Sequence, residues 1–86
     1  MADLALDMNG NKTILKMGSI EKAIDLVNTM IFQAEEKVGV NGVNSVSNNN
    51  WTKMKFDDGN TYHARSWSIH YTGKRIVKYS ATIKEA

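Results

Sequence analysis

An α+β fold in the order ββαβββ is what this sequence predicts: an N-terminal β-hairpin, one amphipathic helix, then a three- or four-stranded antiparallel meander packed on the helix. Three observations carry that expectation. Residues 4–17 alternate apolar and polar side chains around Asn9-Gly10, residues 20–38 switch to a helical period, and residues 51–84 return to alternation punctuated by Gly59 and Gly73. At 86 residues the chain has the length of one small domain, read as 1–86 with a polar loop at about 40–50.

The hairpin follows from turn chemistry. Asn-Gly tolerates the positive φ angles of a two-residue type I′ turn, which pairs Met8 with Asn11 and Leu6 with Thr13. One face then collects Leu4, Leu6, Met8, Leu15 and Met17, and Asp7 comes opposite Lys12 on the other. Gly18-Ser19 stops the second strand. Ser19 is a good helix N-cap, and Glu21 places negative charge at the positive end of the helix dipole. At 100° per residue, Ile20, Ala23, Ile24, Val27, Met30, Ile31, Ala34 and Val38 form one apolar stripe, and Gly39 supplies the stop. Phe32 falls on the opposite side among Glu21, Asp25 and Glu36, where a loop or the hairpin is expected to cover it. Residues 40–50 are rich in Asn and Ser and read as a surface connection with a short strand near Val43 to Ser47.

In the last 36 residues, Asp57-Asp58-Gly59 has the composition of a three-residue hairpin loop pairing Phe56 with Asn60. Met54, Phe56, Tyr62 and Ala64 then share a side with Thr52 and Ser66. A two-residue turn at Gly73-Lys74 sets Thr72 opposite Arg75, so that Ser68 faces Tyr79 and Ser66 faces Ala81. With this register the helix-bearing face gains Val77, Tyr79, Ala81 and Ile83, and the small Ser66 and Ser68 leave room for the helix to cross.

Composition excludes several classes. There is no cysteine, hence no disulfide, thiolate zinc site or thiol nucleophile. Hydrophobic residues at 42% and charged ones at 23% fit a folded chain rather than a disordered one. No apolar run approaches a membrane span, and Asp3 and Asp7 with no early Lys or Arg are the reverse of a secretory leader, so the expected setting is cytoplasmic with no membrane partner. Net charge is only +2, but residues 1–50 carry four Lys against six acids, and residues 51–86 carry seven basic residues against three acidic. Such asymmetry favours an anionic partner on the second half.

The register above gathers Trp51, Lys53, Lys55, His63, Arg65, Trp67, Lys78 and Lys84 on an outer sheet face with no Asp or Glu. Aromatic rings stack on unpaired bases and interleaved cations neutralise phosphates, so this face suits single-stranded DNA or RNA. The competing structural reading buries Trp67, Ile69 and Ile76 in a second small core under the hairpin or against a dimer mate. The competing function is a small protein-binding inhibitor or adaptor. Abundant Asn, Lys and Ile suggest AT-rich coding, frequent in phage and mobile elements where such inhibitors occur. His63 and His70 fall on opposite faces of one strand and should not share a metal. Ser66 or Ser68 with His70 is the sole candidate nucleophile–base pair, and small core serines explain these residues better. No glycine-rich phosphate loop is present. A non-enzymatic protein without a cofactor is therefore expected.

Overall fold

A computed structural model describes residues 2–40 and 42–85. Met1, Asn41 and Ala86, which the sequence reading assigns to the N-terminal segment, the polar connection and the end of the domain, lie outside the described residues. The elements are β1 (Ala2–Met8), β2 (Asn11–Met17), α1 (Ile20–Glu36), β3 (Val43–Asn48), β4 (Thr52–Lys55), β5 (Thr61–Tyr71) and β6 (Ile76–Glu85). The architecture is α+β, one helix on one antiparallel sheet, as the ββαβββ pattern predicts, and the short strand expected near Val43 to Ser47 is present as β3.

Both strand groups join in a single sheet of order β2-β1-β6-β5-β3, and β4 pairs with β5 on the same side as β3. β5 is long enough for two short strands to share its edge: β3 pairs with its second half, from Trp67 to Tyr71, and β4 with its first, from Thr61 to Ala64. The hairpin forms as expected. Asn9 (φ 51°) and Gly10 (φ 90°) adopt the left-handed geometry of the two-residue turn, and Met8 pairs with Asn11. Asn9 also accepts the Lys78 N–H through its side chain at 2.8 Å, tying the turn to β6. Ser19 caps α1 by accepting the Lys22 N–H at 3.1 Å. The helix buries Ala23, Val27, Ile31 and Ala34 along the predicted stripe, whereas Val38 lies beyond the helix end and is exposed.

The sequence reading of the meander is half right. Phe56 donates its N–H to the Asn60 carbonyl, so the three-residue Asp57-Asp58-Gly59 loop and the β4–β5 register are as predicted. The β5–β6 turn is not. It spans three residues, Thr72 to Lys74, and is closed by the Tyr71 N–H donating to Arg75 O at 2.8 Å, with Gly73 at φ 80° and Lys74 at φ 66°. Ser68 therefore meets Lys78 rather than Tyr79, and Trp67 meets Tyr79. A one-residue slip moves every side chain of a strand to the other face. It brings Trp67, Ile69 and Tyr71 of β5 to the helix side with Val77, Tyr79, Ala81 and Ile83 of β6, and turns Tyr62, Ala64, Ser66, Ser68 and His70 away from it. Burying Trp67 outweighs burying a serine in its place, because an aromatic side chain removes about 150–250 Å² from water.

The core is accordingly Leu4, Ala23, Val27, Ile31, Trp67, Ala81 and Ile83, with Leu6, Leu15, Met17 and Tyr79 packed around it. Trp67 is 4% exposed and stacks parallel on Tyr79, ring centroids 5.2 Å apart and planes within 2°. A 17-residue helix is about 25 Å long, whereas the molecule extends 43 Å. Part of the sheet therefore projects past the helix. The second face of the sheet has no covering layer among the described residues.

Two expectations test this register. Trp67→Ala should lower unfolding stability by about 3–5 kcal/mol in urea melts, the cost of a core tryptophan; a loss below about 1 kcal/mol would return Trp67 to an open face. Burial, together with the neighbouring Tyr71, pushes the Tyr79 phenol above its ordinary value despite Arg75 nearby. The folded state thus holds that proton more tightly than the unfolded chain. Stability should be undiminished by this group below pH 10, the ordinary phenol value, and should fall as pH rises from there. A Tyr79→Phe variant should show a shallower alkaline loss.

Candidate nucleic-acid interface

The eight residues expected on one basic aromatic face do not share it. Trp51, Lys53, Lys55, His63, Arg65 and Trp67 lie on the helix side of the sheet; Lys78 and Lys84 lie on the other, because β6 is offset by one residue from the expected register. The helix-side six are largely engaged within the protein. Trp67 is core. The Trp51 indole donates to Asn28 Oδ1 of α1 at 2.9 Å. Arg65 donates three times: Nη1 to the same Asn28 Oδ1 at 2.6 Å, Nε to Asn49 O at 2.8 Å, and Nη2 to Asn48 Oδ1 at 3.2 Å. Its planar fork pins the helix to the short link between β3 and β4. Nor is this side free of acid, since the slip brings in Glu85, whose Oε2 lies 3.1 Å from His63 Nε2 and 3.9 Å from Lys53 Nζ. Lys55 alone of the six is exposed and makes no ion pair among the described residues.

The uncovered face is built of rungs that cross β3 or β4, β5 and β6 in register. Met54, Tyr62 and Lys84 form one; Thr52, Ala64 and Thr82 the next; then Ser66 with Ser80; then Ser47, Ser68 and Lys78; and last Ser45, His70 and Ile76. Small side chains in the middle rungs leave a shallow trough. Hollows of about 420 Å³ and 200 Å³ meet at Asn49 and Ser66, where Asn49 Nδ2 donates to Ser66 Oγ at 2.8 Å. At one end the Phe56 ring, 49% exposed, packs edge-on to Tyr62 with centroids 4.8 Å apart. The neighbouring turn is held by Asp58, which accepts the Asn60 N–H at 2.8 Å. Hydrogen bonding to Asn60, through side chain and backbone, keeps the Asp58 carboxyl below the usual carboxylate range. At the other end His70 Nε2 lies 3.3 Å from Ser47 Oγ and 3.2 Å from Ser68 Oγ.

Charge divides between the layers. Helix α1 carries Glu21, Asp25, Glu35 and Glu36 against Lys22, a net of −3, so with a chain total of +2 the remainder carries +5. On the uncovered face, β3 to β6 contribute Lys78, Lys84 and His70 and no Asp or Glu. Asp3 and Asp7 of β1 lie opposite Lys16 and Lys12 of β2 in the ladder. Among the described residues no three His, Asp or Glu side chains gather as a metal site, and no helix is long and apolar enough to cross a membrane. His63 and His70 do lie on opposite faces. Ser66 and Ser68 are not core serines; they line the trough with His70.

Sequence reasoning placed Phe56 and Tyr62 on the covered face, and it read Ser47 and Asn49 as part of a surface connection without assigning them to the site. The usable signal was the contrast within β5 between bulky His63, Arg65, Trp67, Ile69 and Tyr71 and the smaller alternate set from Tyr62 to His70. No protein-family model, curated protein or solved structure matches the chain, so its function is argued from the site alone.

Arg65 is placed here as a structural pin, and Arg65→Lys tests that placement. A lysine cannot present three donors in one plane, so stability should drop by about 1–2 kcal/mol, with faster amide exchange at 48–51. Unchanged stability combined with weakened ligand binding would instead return Arg65 to a binding role.

Proposed function

We propose that this protein is a non-enzymatic binding protein that holds single-stranded DNA or RNA across the uncovered face of its sheet. The observation that supports this reading most is one surface combining the exposed Phe56 ring packed on Tyr62, Lys84 and Lys78, and a trough of hydroxyl and amide groups, with no Asp or Glu on the strands β3 to β6 of that face and Asp58 of the β4–β5 turn as the acid at the Tyr62 end. Each component matches one part of the ligand. Aromatic faces stack on bases without regard to sequence, ammonium groups neutralise phosphates, and neutral donors suit phosphate and sugar oxygens. The acidic helix lies on the opposite side, so the field orients an approaching polyanion toward the sheet. A chemical role has less support: the hydrogen-bond partners of His70 are two serine hydroxyls, with no carboxylate to orient the ring as a base.

A protein partner is the second reading, and one observation favours it. Phe32 is 62% exposed on the outer side of α1, uncovered by the hairpin or a loop, with Val38 and Val40 exposed beyond the helix end. A small inhibitor or adaptor would use such an anchor, and its binding would resist salt.

Fluorescence anisotropy of a labelled single-stranded oligonucleotide decides between them. Binding should weaken log-linearly with salt, and Lys78→Ala with Lys84→Ala should reduce that slope by about 0.7 for each phosphate that is no longer neutralised. Phe56→Ala should weaken binding by about 1–3 kcal/mol at every salt concentration. Absence of any anisotropy change at low salt and micromolar protein would end the nucleic-acid reading.

A further inference from the structure

We infer that Ser47, Ser68, His70 and Lys78 form a phosphate subsite at the far end of the trough, seating one phosphodiester of the bound strand; this rests on the nucleic-acid reading above. Three strands contribute: Ser47 from β3, Ser68 and His70 from β5, and Lys78 from β6, with Ser47, Ser68 and Lys78 in one rung. His70 Nε2 lies between the two hydroxyls at 3.2 and 3.3 Å. That nitrogen carries a single proton or a single lone pair, so it cannot satisfy both hydroxyls fully, and each serine keeps hydrogen-bonding capacity.

The charge around the cluster is of one sign. Lys78 is its neighbour on β6, and no carboxylate faces it from β3, β5 or β6. The acid one strand further on, Asp7 of β1, pairs with Ser80 in the ladder; its Oδ1 accepts the Gly10 N–H at 2.8 Å, and Lys12 lies opposite. Hydroxyl groups beside a cation with no competing carboxylate suit a tetrahedral oxyanion, whose oxygens accept from the serine hydroxyls and the ammonium while the imidazole holds the hydroxyls in place. A hollow of about 200 Å³ lined by Ser47, Ser68 and Lys78 is present beside them. The spacing also suits the rest of the trough. Tyr62 and Ser68 are six residues apart on β5, about 20 Å of strand, so a chain stacked on the Phe56–Tyr62 pair crosses the small middle rungs before a later phosphate reaches this cluster. One strand thus engages both ends.

The test titrates isotope-labelled full-length protein with inorganic phosphate and, separately, with an oligothymidylate, at matched ionic strength, following the His70 ring and Ser68 amide resonances. Both probes should shift these signals. In a Ser47→Ala, Ser68→Ala double variant, whose melting should match wild type because no core side chain is touched, the His70 shift should disappear and oligothymidylate affinity should fall about tenfold. If the double variant binds oligothymidylate with unchanged affinity and shifts His70 as before, the subsite is overturned while the nucleic-acid reading stands. If phosphate shifts wild-type His70 and the double variant abolishes that shift, but oligothymidylate does not bind, the subsite stands and the strand reading falls. No His70 shift with either probe overturns the subsite.

Discussion

The hydrogen bond from the Tyr71 N–H to Arg75 O decides which face of the sheet the helix covers. It closes a three-residue turn in which Lys74, a residue with a Cβ, adopts φ 66°, a conformation that costs about 1–2 kcal/mol for an L side chain. Against that stands the burial of Trp67, worth about 4–6 kcal/mol at 25 cal/mol per Å² for 150–250 Å². Burial outweighs the strain, so the left-handed conformation at Lys74 is tolerated. A two-residue turn would relieve Lys74 and expose the indole. From this choice follow the Trp67–Tyr79 stack, the seat of α1 over Ala81 and Ile83, and the exposure of the serine-bearing face.

Because a small chain has one helix to lay on a six-stranded sheet, half of the sheet surface faces water. An uncovered sheet face of large apolar residues would associate indiscriminately. Here the central rungs are Ser, Thr and Ala, which keep strand geometry and hydrogen-bonding capacity without a sticky surface. The free edge at β2 is guarded in the same spirit. Lys12 and Lys16 flank Ile14, which is exposed, so antiparallel pairing of two copies centred on Ile14 would set lysine against lysine. On the opposite edge, β3 and β4 are short and interrupted at 49–51, leaving no long template for another strand.

Local chemistry was legible in the sequence and long-range register was not. Asn9-Gly10, Ser19, the Ile20 to Ala34 stripe and Asp57-Asp58-Gly59 each specify a structure within a few residues of themselves, and each forms as its residue types dictate. Gly73-Lys74 misleads because a glycine at the first position favours a two-residue turn, whereas the observed turn puts Lys74, where glycine would be expected, into the left-handed region. The deciding factor is the burial of Trp67 in one core with Val27 and Ile31 of helix α1, some 40 residues away. The strand at Val43–Asn48 forms where a short strand was expected, on a weaker local signal. Its polar side chains carry little period-2 signal, and it holds its place through the β5 ladder and through the Thr72 N–H donating to Gly42 O at 2.8 Å. The glycine at 42 suits that contact, with φ 77° and Thr72 Oγ1 only 3.3 Å from where a Cβ would lie.

The same slip that undid the expected basic aromatic face explains why cations remain on both sides of the sheet. Alternation assigns neighbouring lysines of one strand to a common face only when they are an even number of residues apart. Lys53 and Lys55 thus stay together on β4, and Lys78 and Lys84 stay together on β6, but the relation between the two pairs depends on the β5–β6 turn. Once the pairs separate, Lys53 on the helix side meets Glu85, and Lys78 and Lys84 share their face of β5 and β6 with no acid of those two strands, because Glu85 points to the helix side. Lys84 has Asp58 nearby, so positive charge on this face is least compensated at Lys78, beside the hollow of about 200 Å³, and the field of the acidic helix behind it points the same way. Shape and electrostatics agree on one face, which is why a single strand with phosphates at regular intervals and bases free to stack suits it better than a compact anion would.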